Sequence, residues 1–287
     1  MGGIHALLTG GSSVPQVRFM VRTKRIATLA ANHLSGNEGA VMPAGAYLIA
    51  GIVGACAGSF LNVVIHRLPA GRSVVRPGSC CPRCGEAIAW AHKVPVLSYA
   101  WLRGRCAACR RPIPPSYLIV EAVTALVFGG LLCTAAGPAE WLRDAVLAAL
   151  LIAAAEIDRR HGVIPNRLAG SGALLGLALG LWAGIGSAAS VLLASLATGV
   201  LLLLVREGSR LATGRVGLGM GDVKLAAVMG LYLGWAGLWV VYLAVLTGGL
   251  LGLAGLLMGR LTRTSHVPFA PFLAVAAALH WFVLPPE

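Results

Sequence analysis

Residues 237–258 read GLWVVYLAVLTGGLLGLAGLLM and contain no charged side chain. A helix needs about 20 consecutive apolar residues to cross the roughly 30 Å hydrocarbon core of a bilayer, and this stretch is long enough. Its glycines and alanines are the small residues that let helices approach closely in lipid. The stretch therefore predicts a transmembrane helix that packs against other helices.

Comparable apolar segments fill most of the chain. Six of them lie near 43–65, 117–136, 141–157, 168–185, 188–205 and 267–284. Another, residues 224–236, is short and interrupted by glycine, so it can span only if it is packed inside a bundle. Charged residues make up 11% of the chain, against roughly 25% in a soluble domain. These features predict an all-α fold, a polytopic membrane bundle of about eight transmembrane helices.

The basic residues are distributed very unevenly along the chain. Eighteen of the 23 Lys and Arg residues fall in four loops, namely 66–116, 158–167, 206–224 and 259–266, whereas the intervening loops hold only Arg143. Such clusters orient a membrane protein with the basic loops in the cytoplasm. The net charge of +13 is thereby explained by topology, and nucleic acid is not expected as a partner.

The sequence also suggests a division into segments. Residues 1–41 carry four basic residues on the side predicted to be external, and they lack the apolar core of a signal peptide. We expect them to be a disordered or wrongly assigned extension, with Met42 as the start. After it come a first transmembrane helix (42–66), a cytoplasmic zinc-binding loop domain (67–116) and a transmembrane bundle (117–287).

Two C-x2-C motifs lie in the largest basic loop. Cys81-Pro-Arg-Cys84 and Cys106-Ala-Ala-Cys109 are separated by 21 residues, and four thiolates at such spacing can close a tetrahedral, structural zinc site. A redox pair is the alternative, and Cys80 could replace Cys81. Disulfides do not persist on the reducing side of the membrane. The two cysteines in apolar segments are interpreted as small core residues: Cys56 and Cys133.

The chain has only three aspartates, Asp144, Asp158 and Asp222. An ionisable group beside a membrane segment is expensive and is a functional candidate. The loop assignment places Asp158 and Asp222 at the cytoplasmic ends of helices and Asp144 on the far side. If two carboxylates meet, one can act as a base on water while the other acts as an acid toward a carbonyl.

Other roles for these residues stay open at this point. Asp222 could simply cap a helix, and Asp158 could pair with Arg159 or Arg160. A transporter could use Asp158 and Asp222 as a proton relay. A non-enzymatic assembly scaffold with a zinc loop is a further possibility.

Several ordered motifs resemble one family. Gly219-Met-Gly221-Asp222 resembles the Gly-x-Gly-Asp signature of intramembrane aspartic proteases. The stretch from Gly58 to Pro69 (GSFLNVVIHRLP), the two cysteine motifs followed by Glu121, and Asp158 before Ile164-Pro165-Asn166 narrow the resemblance to the type IV prepilin peptidases, or leader peptidases.

The resemblance implies a function and assigns residues. Members cut the leader from type IV prepilins and type II secretion pseudopilins after a glycine, on the cytoplasmic side of the bacterial inner membrane. Many also N-methylate the new amino terminus with S-adenosylmethionine. By resemblance, Asp158 and Asp222 are catalytic, and the metal ligands are Cys81, Cys84, Cys106 and Cys109.

The chain departs from the family pattern in two places. It reads Pro115-Ser-Tyr-Leu118 where an aromatic-proline pair is usual, and Asn166 stands where many members have aspartate. No glycine-rich loop on a strand-turn-helix unit is visible, so the sequence itself offers no S-adenosylmethionine site.

Overall fold

The computed structural model describes residues 42–76, 78–214, 217–260 and 267–283. The predicted extension 1–41 lies outside these residues. The described residues form α1 (Ala44–Arg67), α2 (Leu97–Trp101), α3 (Ser116–Thr134), α4 (Pro138–His161), α5 (Asn166–Trp182), α6 (Ala188–Thr213), α7 (Met220–Leu233), α8 (Ala236–Leu257) and α9 (Ala270–Phe282), with a short 3-10 turn at Trp90–Lys93. Every predicted apolar segment overlaps one helix, and the all-α prediction is confirmed.

Helices α1 and α3 form a close hairpin that carries the cysteine loop at one end. Their contact depends on two glycines of α1. A Cβ at Gly54 would lie 2.7 Å from the Thr124 carbonyl oxygen, and one at Gly58 would lie 2.7 Å from Glu121 Cα. Both distances are shorter than van der Waals contact, so only glycine permits this packing.

Helix α7 lies inside the bundle. It has 14 residues, and its length from Asp222 to Leu233 is largely buried. It packs against α5 and α6, where Gly176 accommodates the Tyr232 ring and Gly230 lies against the α6 backbone at Ser195. An apolar helix this short is compatible with a membrane only when protein surrounds it, and the structure provides that setting.

Four of the described helices are long and apolar enough to cross a membrane, namely Ala44–Arg67, Ser116–Thr134, Ala188–Ala212 and Ala236–Leu257. The protein is therefore a multi-pass membrane protein, and the count of about eight spans stays a prediction.

The interpretation of Cys56 and Cys133 as small core residues was wrong. Both side chains are exposed on the outer surface of the bundle, and Cys133 Sγ lies 3.8 Å from the Tyr47 hydroxyl of α1.

Candidate active site and metal centre

The four predicted cysteines form one cluster. The Sγ atoms of Cys81, Cys84, Cys106 and Cys109 all lie within 4.8 Å of one another. Sulfur ligands at about 2.3 Å from a tetrahedral zinc ion are separated by roughly 3.8 Å, so a small inward adjustment closes the cluster on a metal. The cluster includes Cys81 and excludes Cys80, which settles which of the adjacent cysteines faces the others.

The two halves of the cluster are an internal repeat with an offset of 25 residues. In the first half, the Cys81 amide donates to the Glu86 carbonyl at 2.9 Å. In the second, the Cys106 amide donates to the Arg111 carbonyl at the same distance. Gly85 and Arg110 occupy equivalent positions in the two halves, and both have a positive φ, of 75° and 59° respectively. Arginine is disfavoured in this left-handed region, so the second turn is the more strained one.

The thiols are electrostatically suited to a cation. The backbone amides of Cys84 and Arg83 lower the pKa of the Cys81 thiol to about 7. The Glu86 amide lowers the pKa of Cys84, but burial and the neighbouring Cys81 and Cys109 thiols outweigh it and raise the pKa to about 11. The neighbouring Cys81 and Cys84 thiolates therefore repel each other, and a divalent metal would compensate their charge. The cluster could hold a metal in a closed site.

Side chains from α1 and α3 fasten the loop to the bundle. Glu121 accepts a 2.7 Å hydrogen bond from the Val96 amide, and Val96 itself has a φ of 61°. At the end of α1, the Arg67 guanidinium donates to the Gly78 carbonyl at 2.9 Å. Where the loop meets the bundle, Asn62 of α1 donates to the Tyr117 carbonyl of α3 at 3.1 Å and joins the two helices. Asn62, Arg67 and Glu121 belong to the motifs on which the family resemblance was based, but their anchoring role was not predicted.

Asp158 lies on the last turns of α4 and is 5% exposed. Its Oδ2 atom accepts a 3.0 Å hydrogen bond from the Ala270 amide at the first turn of α9. The possibility that it pairs with Arg159 or Arg160 is wrong. Both arginines bind Glu156 instead, because the i+3 and i+4 positions lie on the same helix face as Glu156.

Asp222 lies in the first turn of α7 and is 7% exposed. Its Oδ2 atom accepts a 3.1 Å hydrogen bond from the Gly219 amide. The interpretation of Asp222 as a helix cap is therefore confirmed, since this bond satisfies a backbone amide at the start of α7. The bond to the Gly219 amide occupies one of the two carboxylate oxygens.

The start of α7 packs on the turn that follows Asp158. A Cβ on Gly221 would lie 2.9 Å from Ile164 Cβ and 3.4 Å from the Ile164 backbone nitrogen. Three residues after Gly221, Lys224 Nζ donates to Asn166 Oδ1 at 2.8 Å. These contacts bring the Asp222 end of α7 and the Asp158 end of α4 to the same end of the bundle.

Asp144 lies near the opposite end of α4. It is 5% exposed and pairs with Arg143 at 2.8 Å. It is 14 residues from Asp158, which corresponds to roughly 21 Å along a helix. Asp144 is thus buried and paired with Arg143, but it is remote from the other two aspartates, as the loop assignment predicted.

The structure thus places two buried aspartates at one end of a membrane helix bundle, one of them in the Gly-x-Gly-Asp segment that resembles membrane aspartic proteases. Residues 52–135 match the family described as Bacterial Peptidase A24 N-terminal domain, and residues 145–257 match the Type IV leader peptidase family. The chain belongs to the type IV leader peptidase family. The first match contains all four clustered cysteines, and the second contains Asp158 and Asp222.

Several curated relatives are similar over most of the chain, and all carry the name prepilin leader peptidase/N-methyltransferase. The relative from Burkholderia pseudomallei is 34% identical over 85% of this chain and 87% of its own length. The one from Aeromonas hydrophila is 34% identical over 78% and 87%. The one from Myxococcus xanthus is 39% identical over 72% and 62%. No solved structure matches the chain.

Proposed function

We propose that this protein is an endopeptidase of the bacterial inner membrane that removes the leader of type IV prepilins and type II secretion pseudopilins. Cleavage occurs after a glycine at the cytoplasmic end of the bundle. The names of the relatives and the family match that spans both aspartates support this activity. The concentration of basic residues in the loops around Asp158 and Asp222 supports the cytoplasmic orientation.

The proposed catalytic pair is Asp158 and Asp222. The observation that carries it is the packing of Gly221 on Ile164, because it holds the residue before Asp222 against the turn that follows Asp158. Each carboxylate also has one oxygen fixed by a backbone amide, from Ala270 and from Gly219 respectively. Fixed carboxylates of this kind need no reorganisation when a substrate arrives.

The chemistry follows from two carboxylates that share one proton. The ionised carboxylate takes a proton from water, whose oxygen forms a bond to the scissile carbonyl carbon. The protonated carboxyl gives its proton to the carbonyl oxygen, and a tetrahedral diol results. The C–N bond then breaks as the carboxyl that took the water proton gives it to the new amine. A diol hydroxyl returns its proton to the other carboxylate as the carbonyl reforms. Like charges in proximity disfavour double ionisation, which keeps one proton on the pair.

The cysteine cluster is proposed to hold a structural zinc ion through Cys81, Cys84, Cys106 and Cys109. With four sulfur ligands no coordination position is open for water, so the metal would stabilise the loop and take no part in hydrolysis. In this proposal the loop domain (67–116) is cytoplasmic, and the helices before and after it (42–66 and 117–287) form the membrane part.

N-methylation of the new amino terminus is proposed on the names of the relatives. The described residues contain no glycine-rich loop between a strand and a helix, which is a common S-adenosylmethionine cradle. No residue is therefore assigned to the methyl donor.

The test is an assay of the purified full-length protein in proteoliposomes with a synthetic prepilin segment that spans the leader and the apolar helix. Mass spectrometry of the product should show a cut directly after the leader glycine. Adding S-adenosylmethionine should then increase the product mass by one methyl group. Intact substrate after incubation with metal-loaded protein would contradict the peptidase. Cleavage without a mass increase would contradict only the methyl transfer.

A further inference from the structure

A cleft of about 640 Å³ opens between α1, α4 and α5. Its walls are mainly apolar, and its lips on α1 and α5 are Phe60, 54% exposed, and Leu175, 50% exposed. The wall residues include Phe60, Val64, Ala149, Ala153, Leu168 and Leu175. Because the lips face outward from the membrane helices, the cleft is open to the lipid phase.

The cleft begins at the end of the bundle that carries the cysteine loop. It extends along α1 and its C-cap from Phe60 to Leu68, and along α5 from Arg167 to Leu175. Either interval is eight residues, or about 12 Å along a helix. One leaflet contributes roughly 15 Å of hydrocarbon. The cleft therefore matches the depth of one leaflet, the cytoplasmic one in the proposed orientation.

Positive charge lines the mouth of the cleft. Arg72 and Arg167 are both lining residues and both are exposed. Neither forms an ion pair with an acidic residue of the described chain. Arg72 is held in place because its amide donates to the Arg67 carbonyl at 3.0 Å, while the Arg67 side chain donates to the Ser73 carbonyl.

The start of α5 adds to this charge. Arg167 lies in its first turn, which contains no acidic residue, and no side chain caps the helix. The N-terminus of a helix carries roughly half a positive charge and exposes amide donors. Two unpaired guanidinium groups and a helix N-terminus at the mouth of an apolar, lipid-open cleft are complementary to an amphiphile with an anionic head.

We propose that this cleft binds an anionic phospholipid, with an acyl chain between α1, α4 and α5 and the phosphate on Arg72 and Arg167. A transmembrane helix is a poorer occupant. One helical turn, 5.4 Å long and 10 Å or more across, fills roughly 420 Å³ or more, so the cleft admits little more than a turn. A spanning helix has five or six turns.

Native mass spectrometry of the purified full-length protein in a non-ionic detergent tests the site. Dioleoylphosphatidylglycerol and dioleoylphosphatidylcholine share acyl chains and differ in net head charge. Arg72→Gln and Arg167→Gln should each lower the affinity for the first bound phosphatidylglycerol molecule by about fivefold. This is the effect of one basic residue at an anionic lipid surface. Binding of phosphatidylcholine should change little. Arg260→Gln is the matched control, since it removes an exposed charge outside the cleft and should leave both affinities unchanged.

A second variant tests the acyl-chain half of the site. Ala149→Phe fills the cleft, and it should weaken both lipids at least tenfold. Equal loss of affinity in Arg260→Gln and Arg72→Gln would overturn the proposal, as would displacement of the lipid by inorganic phosphate. Unchanged lipid binding in Ala149→Phe together with a raised KM for prepilin would assign the cleft to the substrate and overturn the proposal as well.

Discussion

Replacing Gly221 with alanine tests how closely α7 must approach the turn after Asp158. The added methyl group would lie 2.9 Å from Ile164 Cβ, whereas carbon atoms in contact prefer about 3.5–4.0 Å. The start of α7 must therefore move outward by roughly 0.6–1 Å, and Asp222 moves with it. A displacement near 1 Å at a catalytic group can cost about 100-fold in rate. We expect Gly221→Ala to lower kcat/KM for leader cleavage by roughly 10- to 100-fold.

Global stability should change far less than the rate. Alanine gains up to about 1 kcal/mol in helix propensity, and overpacking costs roughly 1–3 kcal/mol, so the two effects partly cancel. The assay is steady-state cleavage of a synthetic prepilin segment in proteoliposomes. The matched control is Gly170→Ala in α5, where an added Cβ meets nothing within 4 Å, and it should cleave within about twofold of wild type. Wild-type kinetics in Gly221→Ala would refute the claim that this contact positions Asp222.

Two other predictions concern the cysteine loop. Cys84→Ser should remove about one metal ion per chain, measured by elemental analysis of purified protein, because it takes one of the clustered sulfurs. Cys80→Ser should keep the metal, since Cys80 lies outside the cluster, and equal metal content in the two variants would refute the site. Arg110→Gly should increase the chelator concentration needed to strip the metal, because glycine relieves a left-handed residue that costs roughly 1 kcal/mol. Arg105 is outside the left-handed region, so Arg105→Gly should lower the chelator concentration needed to strip the metal. The reverse order of the two variants would contradict the strain argument.

Much of this architecture could be predicted from the sequence because lipid imposes simple rules. Runs of apolar residues indicated the helices, and the basic loops separated Asp144 from the other aspartates. The paired C-x2-C spacing predicted the cysteine cluster. The 25-residue repeat, which aligns Gly85 with Arg110, was visible in the same stretch and could have been found by comparing the two motifs.

The remaining features depend on contacts between distant parts of the chain. The Ala270 amide reaches Asp158 across 112 residues, and a backbone donor carries no sequence signal. The pairing of Glu156 with Arg159 and Arg160, by contrast, follows from their i+3 and i+4 spacing on α4 and could have been predicted from the sequence. The arginines at the cleft mouth, Arg72 and Arg167, looked like ordinary topology signals until the helices placed them together.

Asp158 and Asp222 are proposed to act as one catalytic pair, and isosteric substitution of each carboxylate tests this pairing most directly. Single-turnover cleavage should be measured for Asp158→Asn, Asp222→Asn and the control Asp144→Asn, each in proteoliposomes. Asparagine retains an oxygen that can accept the Ala270 or Gly219 amide, so the fold should persist. Each of the first two variants should lose roughly three orders of magnitude or more in rate, while Asp144→Asn should stay within about twofold of wild type. Retained cleavage in either Asp158→Asn or Asp222→Asn would contradict the pair.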